Sequence, residues 1–95
     1  MEKARSYVGL FIITPDKEDV DEVTGSIKSV ISENSGDITK ENMVGKKKLA
    51  YPIKKKAEGV YYEISFNAAP ESIANMTRQF RINTDLLRSL IDKSE

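Results

Sequence analysis

Residues 6–13 form a short apolar run that constrains the fold more than any other segment. The run has the sequence Ser-Tyr-Val-Gly-Leu-Phe-Ile-Ile, and Thr14-Pro15 ends it. Its β-branched, aromatic and aliphatic residues favour a strand, and apolar residues at odd and even positions alike predict that both faces are covered. Such a strand is expected inside a sheet, with a pairing strand on either side.

The next segment, residues 16–34, has the period of an amphipathic helix. Its apolar residues recur at spacings of three and four and form one stripe: Val20, Val23, Ile27, Val30 and Ile31. Asp16, Glu18 and Asp19 are predicted in the first turn, where the helix dipole favours anions. Gly36 is predicted to end the helix.

From Ile38 onward the pattern indicates an extended segment. Gly45 is predicted to form a bend or a bulge. Apolar and polar positions then alternate, with Leu49, Tyr51 and Ile53 on one side and Lys48, Ala50 and Pro52 on the other. Because proline cannot donate a ladder hydrogen bond, Pro52 places this strand at a sheet edge. Residues 54–59 are predicted to form a polar hairpin loop.

The second half of the chain adds a strand, a helix and a last strand. Residues 60–67 alternate with four apolar positions: Val60, Tyr62, Ile64 and Phe66. Pro70 opens a second helix whose apolar stripe is Ile73, Met76 and Phe80. Residues 84–92 are predicted to form the last strand, in which Leu87 and Ile91 face opposite to Leu86, Arg88 and Leu90.

The resulting order is β-α-β-β-α-β, which predicts a ferredoxin-like α+β fold in a single domain over residues 1–95. Its four-stranded antiparallel sheet has the order 4-1-3-2, with both helices on one face. The other face has no helix to cover it. Val8, Leu10 and Ile12 lie on that face if Tyr7, Phe11 and Ile13 turn towards the helices. Since the strand is apolar on both sides, the opposite assignment stays open, and a protein partner or a generous core explains the pattern equally well.

Composition excludes several classes of function. A chain of 95 residues holds one core, and it has no Cys and no His. Disulfides, thiol nucleophiles, imidazole bases and the usual zinc sites are therefore excluded, and no cofactor is expected. No apolar run approaches a membrane span, and residues 1–6 lack the apolar segment of a signal peptide, so a cytoplasmic protein is predicted.

The formal net charge of zero conceals a marked asymmetry. Residues 1–37 hold 4 basic and 8 acidic side chains, residues 38–63 hold 7 and 3, and residues 64–95 hold 4 of each. The middle segment therefore carries a net charge of +4 and the first segment −4. Such a charge distribution is informative about binding partners and not about the fold.

Two lysine triplets dominate the basic segment. Lys46-Lys47-Lys48 and Lys54-Lys55-Lys56 flank the apolar sequence Leu-Ala-Tyr-Pro-Ile. As strand neighbours, Lys46 and Lys48 point one way and Lys47 the other. Lysines here can neutralise phosphates without reading sequence, or they can protect an edge strand from pairing. Two triplets around Tyr51 favour nucleic acid.

Arginines form a second candidate group. Arg78, Arg81 and Arg88 lie in the last third of the chain, and Arg5 lies near its start. Because the last strand is predicted beside the first, Arg88 and Arg5 could join one surface. Guanidinium groups suit bidentate phosphate contacts.

Base stacking and catalysis both lack their usual signatures. Aligned on Gly59, the third strand keeps only that glycine and Tyr62 of the aromatic motif of RNA-recognition domains, so phosphate and shape contacts are expected instead. The acidic residues of the first helix are typical of a hydrated face. No glycine-rich phosphate loop is present, and the Arg-bearing cradle of an acylphosphatase is missing after the first strand. An enzyme is not expected.

Several motifs together resemble the bacterial small-subunit ribosomal protein six family over nearly the whole chain. They are Arg5-Ser6-Tyr7, Pro15, Gly36, Lys47-Lys48-Leu49-Ala50-Tyr51-Pro52-Ile53, Gly59 with its aromatic strand, Arg81-Ile82-Asn83 and Leu87-Arg88. The Leu-Ala-Tyr-Pro-Ile run is the most specific of them. The resemblance implies the ferredoxin-like fold and a non-enzymatic protein of the small ribosomal subunit.

The same resemblance implies that the protein binds the central domain of small-subunit ribosomal RNA together with ribosomal protein eighteen. It marks six positions as surface or interface residues: Arg5, Tyr7, Lys47, Lys48, Tyr51 and Arg88. Two positions depart from the family. Val8 stands where an acidic residue is usual, and the sequence stops at Glu95, soon after the last strand, whereas many members continue into a tail that embraces the partner protein. The resemblance therefore does not carry tail contacts over to this chain.

These observations predict two sets of site residues. The RNA-binding set is Arg5, Lys46, Lys47, Lys48, Lys54, Lys55, Lys56, Arg81 and Arg88. The protein-partner set is Tyr7, Val8, Leu10, Tyr51 and Tyr61. Neither a membrane nor a small-molecule substrate is expected as a partner. The alternative is a ferredoxin-like regulatory or small-ligand domain that dimerises through its open sheet face.

Overall fold

The computed structural model describes residues 4–93, and the chain end at Glu95 lies outside them. Its elements are β1 (Arg5–Ile13), α1 (Val20–Glu33), β2 (Asp37–Ile53), β3 (Lys56–Ala68), α2 (Pro70–Arg81) and β4 (Leu86–Lys93). The strands form one antiparallel sheet in the order β2-β3-β1-β4, so β1 is paired on both sides. The predicted ferredoxin-like topology is confirmed, with β1 inside the sheet and β2 at an edge.

Both helices pack on the same face of the sheet. Buried residues of α1 and α2 share one core with Tyr7, Phe11 and Ile13 of β1 and with alternate residues of β3. The Phe11 and Phe80 rings meet edge to face at a centroid distance of 4.7 Å. This core settles the orientation of β1: the odd-numbered side faces the helices, and Val8, Leu10 and Ile12 face away.

Helix α1 begins later than the sequence pattern predicts. Asp19 is its N-cap and accepts a hydrogen bond from the Glu22 backbone N–H, so Asp16 and Glu18 precede the helix and do not lie in its first turn. The helix ends in a Schellman arrangement in which the Gly36 N–H bonds to the Ile31 carbonyl at 2.8 Å. The left-handed residue is Ser35, with φ 62°, and Gly36 is needed because a Cβ there would meet the Ile31 carbonyl oxygen at 2.8 Å.

The turn between β2 and β3 is shorter than predicted. Only Lys54 and Lys55 form it, with φ of 50° and 67°, and β3 already begins at Lys56. Positive φ at both central residues is what a two-residue hairpin with the right-handed strand twist requires. The loop predicted for residues 54–59 is therefore wrong beyond Lys55, because the ladder continues further than the polar composition suggests.

Strand β2 departs from a regular ladder at three places, and the sequence marks two of them, at Gly45 and Pro52. Gly45 has φ 106° at a register shift, which confirms the predicted bulge. Residues 49–52 form a larger bulge, because Lys48 pairs with Glu58 whereas Ile53 pairs with Lys56. The regular alternation predicted through Pro52 is interrupted there, since the proline has no N–H to give to the ladder.

Strand β4 contains an irregularity that changes which of its residues is buried with the helices. Ile12 pairs with Arg88, but the next residue, Ile13, pairs with Leu86. The extra residue reverses the side on which Leu86 lies, so Leu86 and not Leu87 belongs to the core cluster. The prediction that Leu86 shares a face with Arg88 and Leu90 is wrong for this reason.

Gly25 offers a simple test of the α1 assignment. A Cβ at this helical position would meet no atom within 4 Å, so Gly25→Ala should stabilise the protein by about 0.5–1 kcal/mol through helix propensity. Urea unfolding measures the change. Gly36→Ala is the matched control and should destabilise, because its Cβ has no room beside Ile31. Destabilisation by Gly25→Ala would contradict an open, helical site at residue 25.

Candidate nucleic-acid and partner interface

Three of the predicted RNA-binding residues converge on one cavity. Lys54 from the hairpin turn, Arg81 from the end of α2 and Arg88 from β4 line a depression of about 270 Å³. We call it the cationic cavity; its remaining lining is Phe80, Leu86, Leu87 and Ser89. None of the lining residues is acidic. One ammonium group and two guanidinium groups around this cavity are suited to bind phosphate oxygens.

The local structure explains why positive charge collects there. Helix α2 ends at Arg81, and two of its last-turn residues, Arg78 and Arg81, are basic, as the negative end of the helix dipole favours. The neighbouring acid Asp85 is engaged elsewhere, with its carboxylate 3.7 Å from Lys17 Nζ. Asp85 therefore pairs with Lys17 and not with a cation of the cavity.

The remaining hairpin lysines occupy different surroundings. Lys46, Lys47 and Lys48 are exposed and pair with Val60, Gly59 and Glu58, which places Lys47 on the helix-free side and its two neighbours on the other. The predicted alternation of the triplet is confirmed. Lys55 is exposed in the turn. Lys56 forms an ion pair with Asp16, so its charge is the least available of the six.

Arg5 and Arg88 do not share a surface. Arg88 pairs with Ile12, seven residues along β1 from Arg5, a distance of about 23 Å at strand rise. Arg5 also lies on the helix side of the sheet, since it pairs with the buried Ala68. The predicted joint surface is wrong, because antiparallel pairing places the two arginines at opposite ends of the sheet.

The helix-free side of the sheet carries an apolar depression of about 270 Å³. Its lining is Leu10, Ile12, Tyr61, Arg88 and Leu90. We call this surface, together with Val8, the open face. Leu10 and Tyr61 of the predicted partner set therefore lie together, with Val8 on the same side. Leu90, 53% exposed, was missed as a site residue, although its spacing of two from Arg88 on β4 was the available signal.

Tyr7 does not belong to the open face. It is 5% exposed and stacks on Phe66 in the core, with ring centroids 5.8 Å apart. The prediction that Tyr7 contacts a protein partner is wrong, because the odd-numbered residues of β1 face the helices.

Tyr51 reaches the open face from the edge strand. The bulge of residues 49–52 lies against Ile12, Tyr61 and Arg88, and Arg88 Nη1 donates a long hydrogen bond of 3.4 Å to the Tyr51 hydroxyl. Tyr51 is 62% exposed. Arg88 thus borders the cationic cavity on one side and the open face on the other, which makes the two surfaces contiguous.

Two titratable groups within residues 4–93 have displaced pKa values, and both lie on the helix side. A hydrogen bond to Glu41 raises the pKa of Lys28, with the two groups 2.8 Å apart. Burial raises the pKa of Tyr62, whose hydroxyl has no hydrogen-bond partner among the described residues. Both shifts keep the groups in their usual protonation states at neutral pH.

Within that same part of the chain, no three His, Cys, Asp or Glu side chains are grouped as a metal site would require. None of the described helices has the length and apolarity needed to cross a membrane.

The sequence model of the family described as ribosomal protein S6 matches residues 6–93. Small ribosomal subunit protein bS6 of Caldanaerobacter subterraneus is 38% identical over 93 residues, which cover 96% of this chain and 98% of that protein. The bS6 protein of Desulforamulus reducens is 37% identical, covering 92% and 94%.

The crystal structure of 30S ribosomal protein S6 from Thermotoga maritima superimposes with a TM-score of 0.89 at 30% identity, covering 96% of this chain and 88% of that one. An uncharacterized protein from Thermotoga maritima, at 13% identity and a TM-score of 0.61, shares the fold alone. The chain therefore belongs to the ribosomal protein S6 family of the small ribosomal subunit, whose members are structural proteins and not enzymes.

Proposed function

We propose that this chain binds the central domain of small-subunit ribosomal RNA together with ribosomal protein eighteen, and so aids assembly of the small subunit in the cytoplasm. The observation that carries the proposal is the contiguity of the cationic cavity and the open face through Arg88. Membership in a ribosomal protein family favours it over a regulatory or small-ligand domain.

On the RNA side, the cationic cavity suits phosphate contacts. Lys54, Arg81 and Arg88 supply the charges, and the exposed triplet Lys46–Lys48 extends the positive surface along the hairpin. Stacking of splayed bases is disfavoured, because Tyr62, the one aromatic residue kept from the base-stacking motif, is buried in the core. The RNA is therefore recognised through its backbone and shape.

On the protein side, the open face suits a partner with an apolar contact surface. Leu10, Tyr61 and Leu90 line a depression beside Arg88, and the exposed Tyr51 lines a neighbouring depression with Tyr61 and Arg88. A partner seated here borders the phosphate-binding residues, so one RNA can contact both proteins at once. Simultaneous contact makes binding of the pair tighter than binding of either protein.

A titration of labelled central-domain RNA tests the proposal. Fluorescence anisotropy is followed as this chain is added with and without ribosomal protein eighteen. We expect measurable binding of the chain only when the partner is present, because few phosphate contacts alone give weak affinity at physiological salt. Equal affinity with and without the partner would contradict joint binding. No binding in either case would contradict the RNA site itself.

A further inference from the structure

We infer that the open face binds a second copy of this chain when no other partner covers it, forming a weak two-fold dimer in which Arg88 of each copy meets Asp92 of the other. The proposed dimer does not depend on the function proposed above. The expectation that a second copy competes with the ribosomal partner for the open face does rest on that function. The inference comes from the order of charges along the exposed side of β4.

Three residues of β4 face the helix-free side in the order positive, apolar, negative. Arg88, Leu90 and Asp92 are all exposed and pair with Ile12, Leu10 and Val8 of β1. Arg88 and Asp92 are about 14 Å apart at strand rise, too far to pair within one chain. In the dimer, the two open faces pack against each other, and the two-fold axis runs between them, perpendicular to the strands, at Leu90. This axis reverses the order of the three residues in the second copy. It brings Leu90 against Leu90 and each Arg88 against an Asp92.

The opposite edge of the sheet has the same symmetry. Leu10 of β1 pairs with Glu63 of β3. Gly59 and Asn67, four residues before and after Glu63 on β3, lie on the same side of the sheet as Glu63. Their partners on β2 are Lys47 and Asp37, both exposed. The axis that matches Arg88 with Asp92 therefore also matches Lys47 with Asp37. Two complementary pairs on different strands support a self-complementary surface.

Other features set the strength of the association. The chain has zero net charge, so two copies do not repel each other as a whole. Stacked sheets lie about 10 Å apart, a gap that an arginine and an aspartate side chain together can span. Glu63 lies on the axis row and would meet its own copy, which opposes association. We therefore expect a weak, concentration-dependent dimer.

Charge exchange tests the inference by sedimentation equilibrium over a range of protein concentrations. Arg88→Asp alone and Asp92→Arg alone should each weaken the dimer about tenfold or more, because each creates two like-charge contacts. An equimolar mixture of the two variants should recover dimerisation, since every mixed pair again joins Asp with Arg. Circular dichroism verifies that both variants are folded.

Lys46→Glu is the matched control. It changes the net charge by the same two units as Arg88→Asp, but Lys46 pairs with Val60 and faces the helix side, so dimerisation should not change. A wild-type chain that stays monomeric up to about 1 mM would overturn the inference. So would two single variants that fail to associate when mixed, because their mixed dimer restores both Arg–Asp contacts.

Discussion

Replacing Lys54, Arg81 and Arg88 together by alanine is expected to weaken binding of the RNA by the protein pair by about 10²- to 10³-fold. The three side chains line one cavity, and charge-assisted contacts to phosphate are among the stronger hydrogen bonds. If about six cations contact phosphate in the wild type, log K falls against log salt with a slope of about −4 to −5. The triple variant should show a slope shallower by about 2 to 3.

Lys46, Lys47 and Lys48 supply a control with the same charge change. Their replacement by alanine also removes three cations, but from an exposed strand where thermal unfolding should hardly change. We expect weaker RNA binding than in the wild type, but a smaller loss than in the cavity variant. Equal losses would assign binding to overall charge instead of to the cavity. Unchanged RNA affinity would indicate that the lysine triplet protects the edge strand from pairing and does not bind RNA.

Arg88 also borders the open face, so the triple variant could affect the protein partner. Affinity for ribosomal protein eighteen is therefore measured without RNA by calorimetry. The double variant Lys54→Ala, Arg81→Ala leaves the lining of the open-face depression intact. It should retain partner affinity while losing RNA affinity about 10- to 100-fold. Intact RNA affinity in this double variant would contradict the cavity as an RNA site.

The sequence predicted the fold because apolar spacing and backbone breakers agree along most of the chain. The both-sided apolar run of β1 required a central strand, and Gly45 and Pro52 marked the irregular edge strand. Boundaries were less predictable. Helix α1 starts where the Asp19 side chain caps it, and several nearby acidic residues offer the same chemistry in the sequence.

The site was predictable in its residue types but not in its grouping. Lys54, Arg81 and Arg88 come from three elements, and their convergence depends on a two-residue turn and on how α2 leads into β4. Conversely, Arg5 and Arg88 lie on neighbouring strands but are separated along them by the register. One-residue differences, such as the irregularity that buries Leu86, change the face of a side chain without any distinct sequence signal.

Phe11→Ala is expected to have the largest effect on folding, about 3–5 kcal/mol lost from the free energy of unfolding. Phe11 is fully buried at the centre of β1 and contacts the rings of Tyr62 and Phe80, so the truncation leaves a cavity between the sheet and α2. Urea unfolding followed by circular dichroism measures the loss. For a chain of this size that loss is a large fraction of its total stability.

Leu90→Ala is the matched truncation on the other side of the same sheet. Leu90 is 53% exposed, so its removal should cost less than about 1 kcal/mol of stability while weakening every association that uses the open face. The two variants thus separate the face that folds the protein from the face that binds. If Leu90→Ala destabilised the chain as much as Phe11→Ala, the open face would be part of the core, and neither the ribosomal partner nor a second copy could be seated there.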